Sequence, residues 1–166
     1  MAVYSVDKLI DQARKLAANY KKTTGKALPG ISNEIAEHDA AQLLDLELVT
    51  DRQNGYDAIG RGSRRGKRIL IKARTIFDDA KSGQRIGNIS KDKDWDSVVL
   101  VLMDENYQPY ELYEAERTDL SDYLEKSSDS RKKRGALSVA RFRIVGTLVW
   151  SLNKGPEVEA WDNRPS

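Results

Sequence analysis

The stretch Ser97–Met103, reading Ser-Val-Val-Leu-Val-Leu-Met, limits the possible folds more than any other part of the chain. An unbroken apolar run of this length suits a strand buried on both faces, because successive side chains leave a sheet in opposite directions. Such a strand needs a layer of other structure on each side. With 166 residues, the chain is one domain by length and large enough to enclose that core. The run is far short of the ~20 apolar residues that span a bilayer. Met1–Asp11 lacks the basic-then-apolar layout of a signal peptide. No cysteine is present, so disulfides, thiolate zinc sites and thiol nucleophiles are excluded. A cytoplasmic location and no membrane partner are the default expectations.

The layers are legible on either side of this run. Leu9, Ile10, Ala13, Leu16, Ala17 and Tyr20 recur at helical spacing and predict an amphipathic helix over Val6–Thr23, punctuated by Gly25 and Pro29. A second helix is expected from Ser32, as N-cap, to about Asp45. Its apolar stripe is Ile35, Ala36, Ala40, Leu43 and Leu44, with Glu34, Glu37, His38 and Ala41 opposite. The period then shortens to that of strands. Tyr56–Gly60, a basic Gly/Ser turn over Arg61–Gly66 and Arg68–Ala73 read as a β-hairpin. Phe77–Asp94 is polar and loop-like, and Glu105–Gln108 is a turn. Tyr110–Ala115 alternates like a strand nearer the sheet edge. Thr118–Glu125 predicts a short helix capped by Thr118, and Gly135–Arg143 another, with a charged loop at Ser127–Arg134 between them. Thr147–Ser151 closes the pattern as a last strand. The expected architecture is α/β, a central mixed sheet covered by helices, in a single domain over residues 1–151. Residues 152–166 read as a loosely ordered tail in which Trp161 could dock.

Net charge is only +2, but the charges are distributed in blocks. Asp51–Trp95 holds twelve bases against six acids, Val101–Glu125 one against eight, and Lys126–Arg143 seven against one. Two basic blocks around an acidic one suggest a polyanion-facing surface with an acidic back, or simply solvated loops.

Two charges interrupt the hairpin's apolar strands: Asp57 in Gly-Tyr-Asp-Ala-Ile-Gly and Lys72 in Arg-Ile-Leu-Ile-Lys-Ala-Arg. A charge within an apolar run costs several kcal/mol unless it is paired, bound to an ion or released at a strand end. A buried Asp57–Lys72 salt bridge satisfies that requirement, and so does a chemical site. Glu34 and Glu37 lie one helix and one connection earlier, and a helix packed on the sheet would bring them toward Asp57. They would serve equally as ordinary acids of a helix first turn. Two or three converging carboxylates make a hard oxygen site, suited to Mg²⁺ or Mn²⁺ rather than zinc. A neighbouring lysine would then act on the attacking water or on transition-state charge. His38 shares the face of Glu34 but, as the only histidine, makes no metal cluster. Trp95 and Trp150 suit core filling better than base stacking.

In this order the motifs resemble those of the PD-(D/E)xK restriction-endonuclease-like superfamily, and in particular a small bacterial branch of unassigned function. The resemblance rests on the helix pair, Gly-Tyr-Asp57-Ala, the strand ending Ile-Lys72-Ala-Arg74, the loop Gly83-Gln84-Arg85-Ile86-Gly87 and Trp95-Asp96, and it extends to about Trp150. It implies an αβα core and Mg²⁺- or Mn²⁺-dependent hydrolysis of DNA. Asp57 would be the metal ligand, Lys72 the catalytic lysine and Glu34 or Glu37 the helix carboxylate, with the main-chain carbonyl of Ile71 a further ligand. Arg64, Arg65, Arg74 and Arg85 would meet backbone phosphates. Cutting both strands calls for two sites, which a homodimer would supply.

The sequence departs from that pattern at Leu70, where the superfamily carries Glu or Gln. An aliphatic side chain neither coordinates a hard cation nor accepts a hydrogen bond. Three readings follow: a helix glutamate substitutes for the missing ligand, the chain is a non-cutting relative that still binds nucleic acid, or Leu70 was introduced to silence an enzyme. Outside nucleic-acid chemistry, the acidic Tyr110–Glu125 face suits a protein-interaction module.

Overall fold

The computed structural model describes residues 5–77, 84–126, 137–153 and 155–156. Helix α1 (Val6–Thr24) begins where the Ser5 side chain accepts from the Lys8 N–H. It ends at Gly25, whose φ of 76° lets its N–H close on the Lys21 carbonyl. Helix α2 (Ile31–Leu44) starts one residue before the expected cap. The Pro29-Gly30 turn sets its start, with Gly30 at φ 81° and no side-chain cap, and Ser32 lies inside the first turn.

Strands β1 (Leu46–Leu48), β2 (Ala58–Gly60), β3 (Arg68–Thr75), β4 (Ser97–Met103), β5 (Pro109–Glu116), β6 (Thr147–Ser151) and β7 (Gly155–Pro156) form one sheet in sequential order. All neighbours pair antiparallel except β3 and β4, which run parallel. Helices α3 (Ser121–Lys126) and α4 (Val139–Val145) complete the described elements.

Every residue of β4 is buried. Its odd positions, Val99, Val101 and Met103, join Ile69, Ile71 and Ala73 of β3 beneath Ala17, Ile35, Ala36 and Ala40 of the two N-terminal helices. Its even positions, Val98, Leu100 and Leu102, join Tyr113 and Ala115 against Leu120, Leu124, Phe142, Ile86 and Trp95. The fold is therefore the expected αβα sandwich around a mixed sheet. Trp95 and Trp150 are both buried, as expected of core residues.

Local expectations are corrected in several places. β5 is not near the edge, since β6 and β7 lie outside it. β1 adds an edge strand too short for a periodic signal, three residues long with only Leu46 buried. The short helix after β5 is capped not by Thr118 but by a reciprocal box between Glu116 and Asp119. α4 begins at Val139, four residues later than expected, with Ser138 accepting from the Arg141 N–H. The predicted tail contributes Gly155–Pro156 to the sheet, pairing with Trp150 and Ser151. The charged loop at Ser127–Arg134, Trp161 and Gly83 lie outside the described residues.

One ionic contact joins both helices to the sheet. Arg14 on α1 grips Asp39 on α2 with two bonds of 2.8 and 2.9 Å, and donates a third, of 2.6 Å, to the Tyr107 carbonyl in the β4–β5 turn. Both side chains are only 9% exposed. Removing one partner from such a pair strands the other charge in a dry site, whereas removing both does not. Asp39→Ala is expected to lose about 3–5 kcal/mol of unfolding free energy in urea, and Arg14→Met/Asp39→Leu less than the single variant.

Candidate functional site

The site forms where β2 leaves β3. Their last paired residues are Ala58 and Ile69. One residue earlier, the Asp57 N–H still donates to the Ile69 carbonyl at 2.8 Å. The side chain then takes over from the strand, and Asp57 Oδ2 accepts from the Ile71 N–H at 2.7 Å. Within a strand next to an antiparallel neighbour, N–H and C=O of one residue point to the same side. The Ile71 carbonyl therefore faces the space β2 has vacated, beside Asp57.

The other Asp57 oxygen is held by a residue that the motif reading did not single out. Arg52 Nη1 donates to Asp57 Oδ1 at 2.8 Å and to Glu37 Oε2 at 3.2 Å, while Nη2 reaches Glu37 Oε1 at 3.1 Å. Its Nε donates to the Val49 carbonyl at 2.7 Å. The Glu37 and Asp57 side chains are 14% and 16% exposed, so a guanidinium bridges two nearly buried carboxylates. Its hydrogen bonds to Glu37 hold it protonated even more firmly than a free arginine. The loop carrying Arg52 turns at Gly55, which has φ 84° and lies where a Cβ would stand 2.5 Å from the Lys93 side chain. A cation five residues before the strand aspartate, with Asn54-Gly55 between, is the signal that could have revealed Arg52.

Glu34, by contrast, is exposed on α2 and does not join Glu37 at Asp57. The convergence is of two carboxylates rather than three. Among the described residues no group of three or more His, Asp or Glu side chains could hold a metal. His38 turns away, pairing with Asp7 of α1 at 3.0 Å. It lines a cavity of about 340 Å³ with Arg14, Asp39 and Trp150, which neither Asp57 nor Lys72 reaches. Arg14 and Asp39 on that cavity wall already neutralise each other.

Lys72 follows Ile71 on β3 and therefore projects from the opposite face of the sheet. Its Nζ donates to the Asn88 carbonyl at 3.2 Å. No ion pair joins it to Asp57, so the salt-bridge explanation of these two charges fails. Burial lowers the Lys72 pKa, partly offset by the charge of Asp57 and reinforced by Arg74. Leu70, on the same face, packs against the second core. Its position is filled with hydrocarbon where the resemblance expects an acceptor.

The four arginines expected to meet phosphate divide between the two ends of the hairpin. Arg64 and Arg65 sit at its closed end, and Arg64 is committed to Glu114 at 2.9 Å while Arg65 is exposed. Arg74 is at the open end, bonded to the carbonyls of Arg85 and Ala73, and burial lowers its pKa. Arg85 is exposed and bridges to Ser138. The charge blocks likewise interlock rather than segregate. Lys67 pairs with Glu116 at 2.6 Å, Arg143 with Glu111 at 3.3 Å, and Ser97 donates to Glu114 at 2.7 Å. The acidic strand is thus not a separate back, and the face expected to dock a protein partner has most of its strand acids internally engaged.

Comparison with protein-family models and with curated proteins finds no match. Among the described residues no helix is long and apolar enough to cross a membrane.

A lysine whose folded pKa lies below its unfolded value penalises the fold while it is charged. That penalty is fully present below the folded pKa and fades as pH rises toward the ordinary lysine value, near ~10.4. Lys72→Met is expected to raise the urea midpoint at pH 7 and to lose that advantage by about pH 10.5. Asp57→Asn, removing the charge that supports the ammonium, is expected to lower the Lys72 pKa further in an NMR titration of lysine ¹³Cε signals.

Proposed function

We propose that this chain is a restriction-endonuclease-like phosphodiesterase that acts on DNA with Mg²⁺ or Mn²⁺. The observation that carries the reading is the meeting of Asp57, Glu37 and the Ile71 carbonyl where β2 diverges, with desolvated Lys72 on the next residue. The two carboxylates already converge on one cationic group, so the donor set fits a hydrated hard cation. Mg²⁺ typically keeps several waters and takes only one or two carboxylates. When bound, such an ion supplies Lewis-acid stabilisation of phosphate charge and a more acidic water.

The residues contribute the rest. Asp57, fixed by the Ile71 N–H, and Glu37 would hold the cation. Lys72, steadied by the Asn88 carbonyl, would orient the attacking water and meet charge developing on the phosphate. Arg74 and exposed Arg85 would draw the DNA backbone to the open end of the hairpin without reading sequence. A second copy would supply the second cut of a duplex.

A second reading has its own support. Leu70 packed against the second core, and the Glu37–Arg52–Asp57 bridge, suit a non-cutting relative that binds nucleic acid. Plasmid nicking separates the two. With Mg²⁺ or Mn²⁺ the wild-type protein is expected to nick supercoiled DNA, and Asp57→Ala or Lys72→Ala to cut the rate at least ~100-fold. Persistence of nicking in both variants would remove this site, and salt-sensitive DNA binding without nicking would establish the second reading. Leu70→Gln restores the missing acceptor. Activity in L70Q alone would identify Leu70 as the disabling residue.

A further inference from the structure

We propose that Arg52 is the resident counter-cation of the Glu37–Asp57 pair, and that a divalent ion binds there only by displacing its guanidinium. The inference rests on the hydrolytic reading above and concerns how that site is kept closed.

Each oxygen of both carboxylates accepts a hydrogen bond. Glu37 gives both of its oxygens to Arg52, and Asp57 gives one to Arg52 and one to the Ile71 N–H. A metal ion approaching this pair meets a guanidinium that is fully charged at any physiological pH. Two cations cannot share two carboxylates without strong repulsion, and no third carboxylate offsets it among the described residues. Occupancy by arginine and by metal is therefore exclusive.

The guanidinium is also placed to leave. Arg52 lies in the connection between β1 and β2, outside any strand, and its side chain is 41% exposed while its two partners are nearly buried. Release breaks side-chain bonds to Glu37, Asp57 and the Val49 carbonyl but no sheet pairing. The planar fork that holds two carboxylates is equally suited to a phosphate, which gives it a partner outside the site.

Direct binding of Mn²⁺, followed by the loss of its free-ion EPR signal, tests the exclusion. Arg52→Gln is expected to bind Mn²⁺ at least tenfold more tightly than wild type, and R52Q/D57N to lose that gain. Arg52→Lys, keeping the charge without the fork, is expected to fall between. Thermal unfolding gives a second readout: R52Q should be less stable than wild type in EDTA and should gain more from Mn²⁺. Equal Mn²⁺ affinity in wild type, R52K and R52Q, with wild type nicking DNA, would overturn the exclusion and leave the hydrolytic reading standing. Absence of Mn²⁺ binding in wild type and all variants would overturn both. If R52Q fails to fold in EDTA, affinity of R52K no greater than that of wild type overturns the proposal.

Discussion

Burial of β4 along its whole length is the constraint on which the other elements depend. An apolar strand can be hidden on both faces only if one layer of other structure covers its first face and another its second. The N-terminal helices supply the first, and the crossing segment with α3 and α4 supplies the second. Each fully buried valine or leucine contributes about 1.5–3 kcal/mol, and the run from Val98 to Met103 supplies such residues to both cores. The parallel step from β3 to β4 follows from the same demand. It sends the chain over the second face, placing Ile86, Ile89 and Trp95 there before the strand begins.

That step also makes the site. β3 is held along its full length by β4, whereas β2 pairs with it over only two positions. The unpaired edge of β3 beyond Ile69 needs a hydrogen-bond acceptor, and Asp57 supplies it. A carboxylate is thereby locked in place by backbone geometry, its partner Ile71 being followed directly by half-buried Lys72. Neither feature requires a ligand for its stability. The penalty on charged Lys72 is a cost that a plain hairpin would avoid, and it is of the kind that collects at functional sites.

The sandwich was legible because its signals are periodic and local: the run Ser97–Met103, the stripe on α2 and the alternation from Arg68 onward all lie within single segments. Asp57 and Lys72 were legible for a related reason, since each breaks an apolar pattern. What was missed depends on long-range partners. Nothing near residue 52 shows that Arg52 reaches fifteen residues back to Glu37. Nothing near Glu114 shows that Arg64 and Lys67 arrive from the hairpin turn. Charge blocks counted along the sequence suggested two faces, but the sheet folds one block against the other. Arg14 and Asp39 were invisible for the same reason, each looking like an ordinary polar position of an amphipathic helix. The edge strands β1 and β7 are too short to have a period, and only pairing identifies them.

Leu70 and Arg52 can be understood together. With an acid at position 70, the cluster of Glu37, Asp57 and that acid would carry three negative charges against Lys72 and Arg52. A divalent ion would then relieve repulsion on arrival. With leucine there, two carboxylates face two cations, and the formal charge is already balanced. Such a cluster folds without an ion and offers a divalent cation little net attraction until one of the cations is moved. Lys72 cannot easily move, being anchored in β3 with its side chain half-buried, whereas Arg52 stands in an irregular connection with its head partly in solvent. On the hydrolytic reading, leucine at 70 would leave Arg52 as the cation whose release admits a metal ion. On that reading the release of Arg52, more than the identity of the ligands, would separate a working phosphodiester site from a self-neutralised one.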